Sequence, residues 1–96
     1  MANLPQRWTG IVLRIVRGYY PDAELAAWGP LVEGSPSGTL ELVIVEPRNP
    51  DADTISAIRG EIERSDLPVP CDLRPLIDLT VPEQNEALDR GVRFGG

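Results

Sequence analysis

The chain has 96 residues and a formal net charge of −6, with nine arginines, no lysine and no histidine. Its length fits one small domain spanning residues 1–96. An acidic surface repels phosphate backbones, which argues against a nucleic-acid partner. The absence of histidine excludes a Ser-His-Asp triad, a histidine general base and histidine metal ligands.

One cysteine, Cys71, leaves no internal disulfide and fits a reducing cytoplasm. The apolar runs are too short to cross a membrane. The N-terminal residues MANLPQRW lack the charged and apolar regions of a secretory signal. We therefore expect a cytoplasmic protein without a membrane partner. Any metal would be a hard cation such as Mg²⁺, held by carboxylates.

The first predicted helix covers Pro5 to Arg17, where apolar residues recur at helical spacing and Gly18 ends the pattern. The short apolar segment from Ala23 to Trp28 is predicted as a strand. It leads into a turn-rich loop from Gly29 to Gly38.

Thr39 to Glu46 gives the strongest strand signal, because its centre is a β-branched, apolar run typical of burial on both faces. Alternation places Glu41 on one face with Val43 and Val45. A glutamate inside a buried strand is unusual, which makes Glu41 a candidate functional residue.

A second helix follows, with Asp51 or Asp53 as its N-cap and an apolar stripe of Ile55, Ile58 and Ile62. Val69 to Arg74 is the third predicted strand, with Asp72 and Arg74 on one face. Thr80 and Glu83 form a capping box that opens the last helix, which ends at Arg90 before Gly91. We expect the inner edge of this helix to consist of Val81, Leu88 and Val92.

The predicted order is α-β-β-α-β-α, an α/β (α+β) fold with a small mixed sheet covered by helices. The middle strand-helix-strand unit predicts a right-handed crossover between parallel strands. The first two strands are close enough in sequence to pair antiparallel.

Three segments carry a resemblance to a known family: YYPDAELAAWG, GTLELVIVEP and IERSDLPVPCDLRPLIDLTVPEQNEALDRGVRF. They resemble, in order, the first strand, the Asp-x-Asp strand, and the closing strand and helix of the minimal nucleotidyltransferases. These are the small branch of the DNA polymerase β-like nucleotidyltransferase fold. The resemblance covers nearly the whole chain.

In that family a Gly-Ser turn contacts the nucleotide phosphates, and three aspartates hold two Mg²⁺ ions for in-line transfer. Carried over to this sequence, the turn glycine is Gly29 and its serine is replaced by Pro30. The first aspartate position holds Thr39, the second Glu41, and the third keeps Asp72. Proline offers neither a hydroxyl nor an N–H, and threonine offers only a neutral oxygen.

The resemblance therefore implies a nucleotidyltransferase-like pseudoenzyme that binds a protein partner, as an antitoxin of a HEPN-type protein or as a homodimer. The alternative is Mg²⁺-dependent transfer of a nucleoside monophosphate from ATP or another NTP to a protein or small molecule. In that case Glu41 and Asp72 would be the catalytic metal ligands, and Gly29, Gly34 and Thr39 would bind the nucleotide. A plainer interpretation is that Glu41 forms an ion pair with Arg74.

Overall fold

The computed structural model describes residues 4–34 and 38–95 of the chain. In these residues it contains three α-helices, one short 3₁₀ helix and four strands. The helices are α1 (Gln6–Arg17), α2 (Ala52–Glu63) and α3 (Val81–Arg90), and the 3₁₀ helix is Leu76–Asp78. The strands are β1 (Glu24–Trp28), β2 (Leu40–Glu46), β3 (Cys71–Pro75) and β4 (Val92–Phe94).

The four strands form one mixed sheet in the order β3-β2-β1-β4. β1 pairs antiparallel with β2 and with β4, whereas β2 pairs parallel with β3. A parallel pair needs a long crossover, and α2 supplies it. The small mixed sheet and the element order predicted from the sequence are confirmed, apart from the added fourth strand.

The main core lies on one face of the sheet, beneath α1 and α2. On this face β2 contributes the apolar side chains of alternate residues, as its period of two predicts. Helix α2 presents its predicted isoleucine stripe, and Asp51 accepts a hydrogen bond from the Thr54 N–H at 3.1 Å as its N-cap. The buried centre of this cluster includes Val12, Val16, Leu25, Leu40, Leu42, Ile44, Ile55, Ile58, Ile62 and Leu73.

A second, smaller core lies on the opposite face, beneath the 3₁₀ helix and α3, where Leu76, Leu79 and Ala87 pack against Trp28 and Val43. Among the described residues, the Trp28 Nε1 atom is buried without a hydrogen-bond acceptor. The expectation that Val81 belongs to the inner edge of α3 is wrong, because its side chain is 68% exposed. Val81 is the first residue of the helix, whereas the turn that packs against the sheet lies later, at Ala87.

The strand β4 was not predicted, and Val92 belongs to it rather than to the helix before it. Three residues are too few to show the alternation by which a strand is recognised. Gly91 ends α3 with φ −71° and ψ 160°, an extended backbone that leads straight into the strand. Glycine is required at this position because a side chain would not fit there, and not because the backbone makes a left-handed turn.

Boundaries elsewhere differ from the predicted ones by one or two residues. β3 begins at Cys71 instead of Val69, and it includes Pro75. The Pro70 carbonyl accepts a hydrogen bond from the Leu40 N–H at 2.8 Å, which starts the parallel pairing. Within the described residues, no helix has the length and apolar character needed to cross a membrane.

We expect Gly91→Ala to destabilise the fold by about 1–3 kcal/mol, because the new methyl group would overpack the junction. Its Cβ would lie 2.1 Å from the Ala87 carbonyl oxygen and 2.9 Å from that of Ala27. The matched control is Gly10→Ala within α1, where the added Cβ meets no described atom within 4 Å. That change should stabilise the protein by roughly 0.5–1 kcal/mol, since alanine favours a helix interior. Urea unfolding measures both, and equal effects would contradict the crowding at Gly91.

Candidate functional site: the cleft of Glu41 and Asp72

The parallel pairing of β2 and β3 places Glu41 directly beside Asp72. The two residues are Cα partners in the register, so their side chains leave the same face of the sheet. Like charges on neighbouring strands repel each other, and such a pair is unfavourable unless a cation lies nearby.

Arg74 supplies that cation from the same strand as Asp72. Its Nη2 lies 3.8 Å from Glu41 Oε1, and its Nε lies 3.4 Å from Asp72 Oδ2. The ion pair predicted between Glu41 and Arg74 is thereby confirmed. All three side chains are partly exposed, so the pairs contribute at most about 1 kcal/mol to stability. Their main effect is on the charge of the cleft.

Gly29 lies against the other side of the Glu41 carboxylate. It adopts a φ of +92°, in the left-handed region that favours glycine. A Cβ at this position would lie 2.6 Å from Glu41 Oε2. The glycine predicted from the resemblance as a phosphate-binding residue is therefore the residue that makes room for the glutamate side chain.

The loop after Gly29 folds back on itself before residues 35–37, which lie outside the described part of the chain. Leu31 and Val32 are buried. The Glu33 N–H donates to the Gly29 carbonyl at 3.1 Å, and the Gly34 N–H donates to the Leu31 carbonyl at 3.4 Å. Both N–H groups are thus satisfied inside the loop, and Gly34 does not line the cleft around Glu41.

The cleft itself has a volume of about 480 Å³ and is lined by Pro30, Gly38, Thr39, Glu41 and Asp72. The structure therefore brings together Thr39, Glu41 and Asp72, three residues that the resemblance assigns to one site. Across residues 4–34 and 38–95, no group of three or more carboxylate or thiol side chains is arranged to hold a metal ion. Chemically, the cleft offers two carboxylates, one hydroxyl and an adjacent guanidinium.

Helix α3 adds a third carboxylate near Arg74, which the sequence pattern showed only as a helix cap. The Thr80 N–H donates to Glu83 Oε1 at 2.9 Å, and the Glu83 N–H donates back to the Thr80 hydroxyl, so the predicted capping box is confirmed. The Thr80 backbone and hydroxyl lower the pKa of Glu83, and the nearby charge of Arg74 lowers it further. Arg74 thus lies near three acids: Glu41, Asp72 and Glu83.

Cys71 lies next to Asp72, in surroundings that disfavour its thiolate form. Burial, and to a lesser extent the charge of Asp72, raises the pKa of its thiol to about 12. A thiol needs a lowered pKa to become a nucleophile near neutral pH. Cys71 is therefore a packing residue, which fits its position against the main core.

Neither the models of known protein families nor the curated proteins give a match to this chain. The resemblance to minimal nucleotidyltransferases stays a prediction, carried by the segments quoted above.

We expect Gly29→Ala to destabilise the protein by about 1–3 kcal/mol, through backbone strain and displacement of the Glu41 carboxylate. In a Glu41→Ala background the carboxylate is gone, so the same change should cost only the strain of the positive φ, about 1 kcal/mol. The four proteins form a double-mutant cycle that urea unfolding can measure. An identical cost in both backgrounds would mean that the Glu41 carboxylate does not rest on Gly29.

Proposed function

We propose that this protein is a nucleotidyltransferase-like protein that transfers no nucleotide and acts by binding a protein partner. The observation that carries the first half is the position of Arg74, within 4.0 Å of both Glu41 and Asp72. The guanidinium pairs with the two carboxylates that the resemblance assigns to the metal ion.

The donor set of the cleft does not fit a pair of Mg²⁺ ions. Two-metal transfer needs several carboxylates to hold two divalent cations side by side. Here Glu41 and Asp72 are partly neutralised by Arg74, and the third ligand position holds the neutral hydroxyl of Thr39. Bringing further cations close to Arg74 would add repulsion that the remaining charge cannot offset.

The phosphate contacts expected from the resemblance are also weakened. Pro30 has no N–H to offer, and the Gly34 N–H is bonded to Leu31. The space beside Gly29 is occupied by the Glu41 side chain. These features support a cleft that has lost its nucleotide site.

The second half of the proposal, a protein partner, is supported by exposed apolar side chains between β3 and α3. Ile77 is 49% exposed and Val81 is 68% exposed, four residues apart in the chain. Large exposed apolar side chains contribute to partner surfaces when they form a patch. A helical protein of the HEPN type is the partner that the resemblance implies, and a second copy of the chain is the other. The single Cys71, which forms no disulfide, is consistent with a reducing cytoplasm.

The second candidate function is Mg²⁺-dependent transfer of a nucleoside monophosphate to a protein or small molecule. One observation favours it: Thr39, Glu41 and Asp72 line a single cleft. The residues that would hold the ion in that case are Glu41 and Asp72.

A gain-of-binding experiment tests the degenerate-site interpretation. The variant Thr39→Asp/Arg74→Met adds a third acid and removes the guanidinium, so we expect it to bind Mn²⁺ with a Kd below about 1 mM by calorimetry. The wild type should show at least about tenfold weaker binding. The control adds Asp72→Asn to the variant and should lose the gain. Tight Mn²⁺ binding by the wild type, abolished by Glu41→Ala, would instead support the enzyme.

The partner is tested by purifying the tagged protein from its native cells and measuring the mass of what is recovered. We expect a complex of defined stoichiometry with a second protein, and we expect Val81→Glu to release that protein. Ser56→Glu, which places the same charge on the exposed face of α2, should leave the complex intact. A homodimer would identify the partner as a second copy. A monomer that moves label from α-labelled ATP to another molecule would overturn the proposal.

A further inference from the structure

A groove runs between α1 and the C-terminal end of α2, on the side of the sheet opposite to the Glu41 cleft. Three arginines line it: Arg7 and Arg14 from α1, and Arg64 from the end of α2. Its volume is about 570 Å³. The remaining lining residues are Gly10, Ile11, Ile15, Ser65 and Asp66.

These arginines differ from most of the others in the chain in how their charge is used. Arg74 and Arg93 pair with carboxylates. Arg17 and Arg59 donate to backbone carbonyl groups. By contrast, the salt bridges of the described residues involve only Arg74 and Arg93. None of the three groove arginines therefore lies within 4.0 Å of a carboxylate oxygen in that part of the chain.

The surroundings explain why the positive charge persists there. Helix α1 carries no acidic residue, and Asp66 is the one acid among the groove-lining residues. Glu61, one turn before Arg64, accepts a hydrogen bond from the Tyr19 hydroxyl, and that bond is the main reason why the pKa of Tyr19 is raised. The groove thus has a local charge of about +2 in a chain whose net charge is −6.

The three arginines line the groove from both of its walls. Arg7 and Arg14 are seven residues apart, so they lie on one face of α1, about 10 Å apart along its axis. The Arg64 guanidinium folds back over the last turn of α2, with Nη1 3.2 Å from the place of a Cβ at Gly60. An anion between the helices would meet arginines from two elements.

Gly10 keeps the floor of the groove open. Glycine is unfavourable inside a helix, and a Cβ at this position would meet no described atom within 4 Å. No close approach of another segment therefore accounts for it among the described residues. The empty space above it is the groove itself, bordered by the half-buried Ile11 and Ile15.

We propose that this groove binds the phosphoryl group of a small molecule. One guanidinium fork satisfies a carboxylate, whereas a phosphate dianion presents enough acceptor oxygens for several arginines. The volume lies in the range of small-molecule sites, and the two isoleucines can contact the uncharged part of the ligand. A long acidic peptide or a nucleic acid would also meet the acidic remainder of the surface. A small dianion responds mainly to charges within the Debye length, about 8 Å at physiological ionic strength.

The test is calorimetric titration of the full chain with inorganic pyrophosphate, without a divalent cation. We expect saturable binding below about 10 mM, weakened at least about tenfold in Arg7→Ala/Arg14→Ala. The matched control, Arg48→Ala/Arg90→Ala, removes the same charge from exposed sites outside the groove and should bind like the wild type. No saturable binding, or an equal loss in both variants, would overturn the proposal.

A second variant tests the space instead of the charge. Gly10→Leu keeps all three arginines and improves the helix, but its side chain would fill the groove, so binding should again fall at least about tenfold. Circular dichroism should show an intact fold. Unchanged pyrophosphate affinity in this folded variant would show that the anion binds elsewhere and would overturn the site.

Two further titrations identify the source of the phosphoryl group and separate this site from the Glu41 cleft. ATP binding that is tighter than pyrophosphate, insensitive to Glu41→Ala and lost in Arg7→Ala/Arg14→Ala, would indicate a phosphorylated metabolite in the groove. Equal affinities for ATP and for pyrophosphate would indicate that the ligand is a free phosphate compound. If the heat of ATP binding is lost only in Glu41→Ala, the proposal of a degenerate cleft is overturned. The groove proposal is then decided by the pyrophosphate titration alone. Tighter binding of an oligoglutamate peptide than of pyrophosphate would overturn the small-molecule assignment in favour of protein docking.

Discussion

The burial of β2 on both faces is the constraint on which the rest of the structure depends. Leu40, Leu42 and Ile44 pack beneath α1 and α2, while Val43 packs beneath α3. No other strand of the described chain joins an antiparallel and a parallel neighbour. Because β2 has so little contact with solvent, the surroundings of its few polar side chains are decided by the neighbouring strands.

Glu41 shows how this constraint shapes the candidate site. It lies near the start of β2, and its partly exposed carboxylate lies between Gly29 and Arg74. The glycine supplies space and the arginine supplies charge. Once a guanidinium satisfies two neighbouring carboxylates, these no longer form a purely anionic site. A single arginine therefore changes the charge of the cleft without any change in the fold.

Much of the fold could be predicted from the sequence because local signals agreed with the tertiary packing. The β-branched run of β2, the isoleucine stripe of α2 and the Thr80 capping box each specify one element.

β4 was missed because three residues carry no periodic signal. Val81 was misplaced because spacing alone does not show which turn of α3 packs on the sheet. Thr39, Glu41 and Asp72 were assigned to one site through the resemblance, and the strand register brings Glu41 and Asp72 side by side. The arginine groove was missed because it joins residues about fifty positions apart, and only the seven-residue spacing of Arg7 and Arg14 hinted at it.

The position of β4 has a consequence for how the sheet is completed during synthesis. β1 forms early in the chain and pairs with β2, but its other edge is covered only by β4, whose last residue is Phe94. The Arg93–Glu24 ion pair at 3.0 Å and the Arg17 hydrogen bond to the Gly95 carbonyl then fix this strand. Because a ribosome delivers residues in order, the edge of β1 stays open until nearly the whole domain has emerged. The sheet can therefore close only after β4 has been synthesised, and a nascent chain held before that point exposes a strand edge to its neighbours.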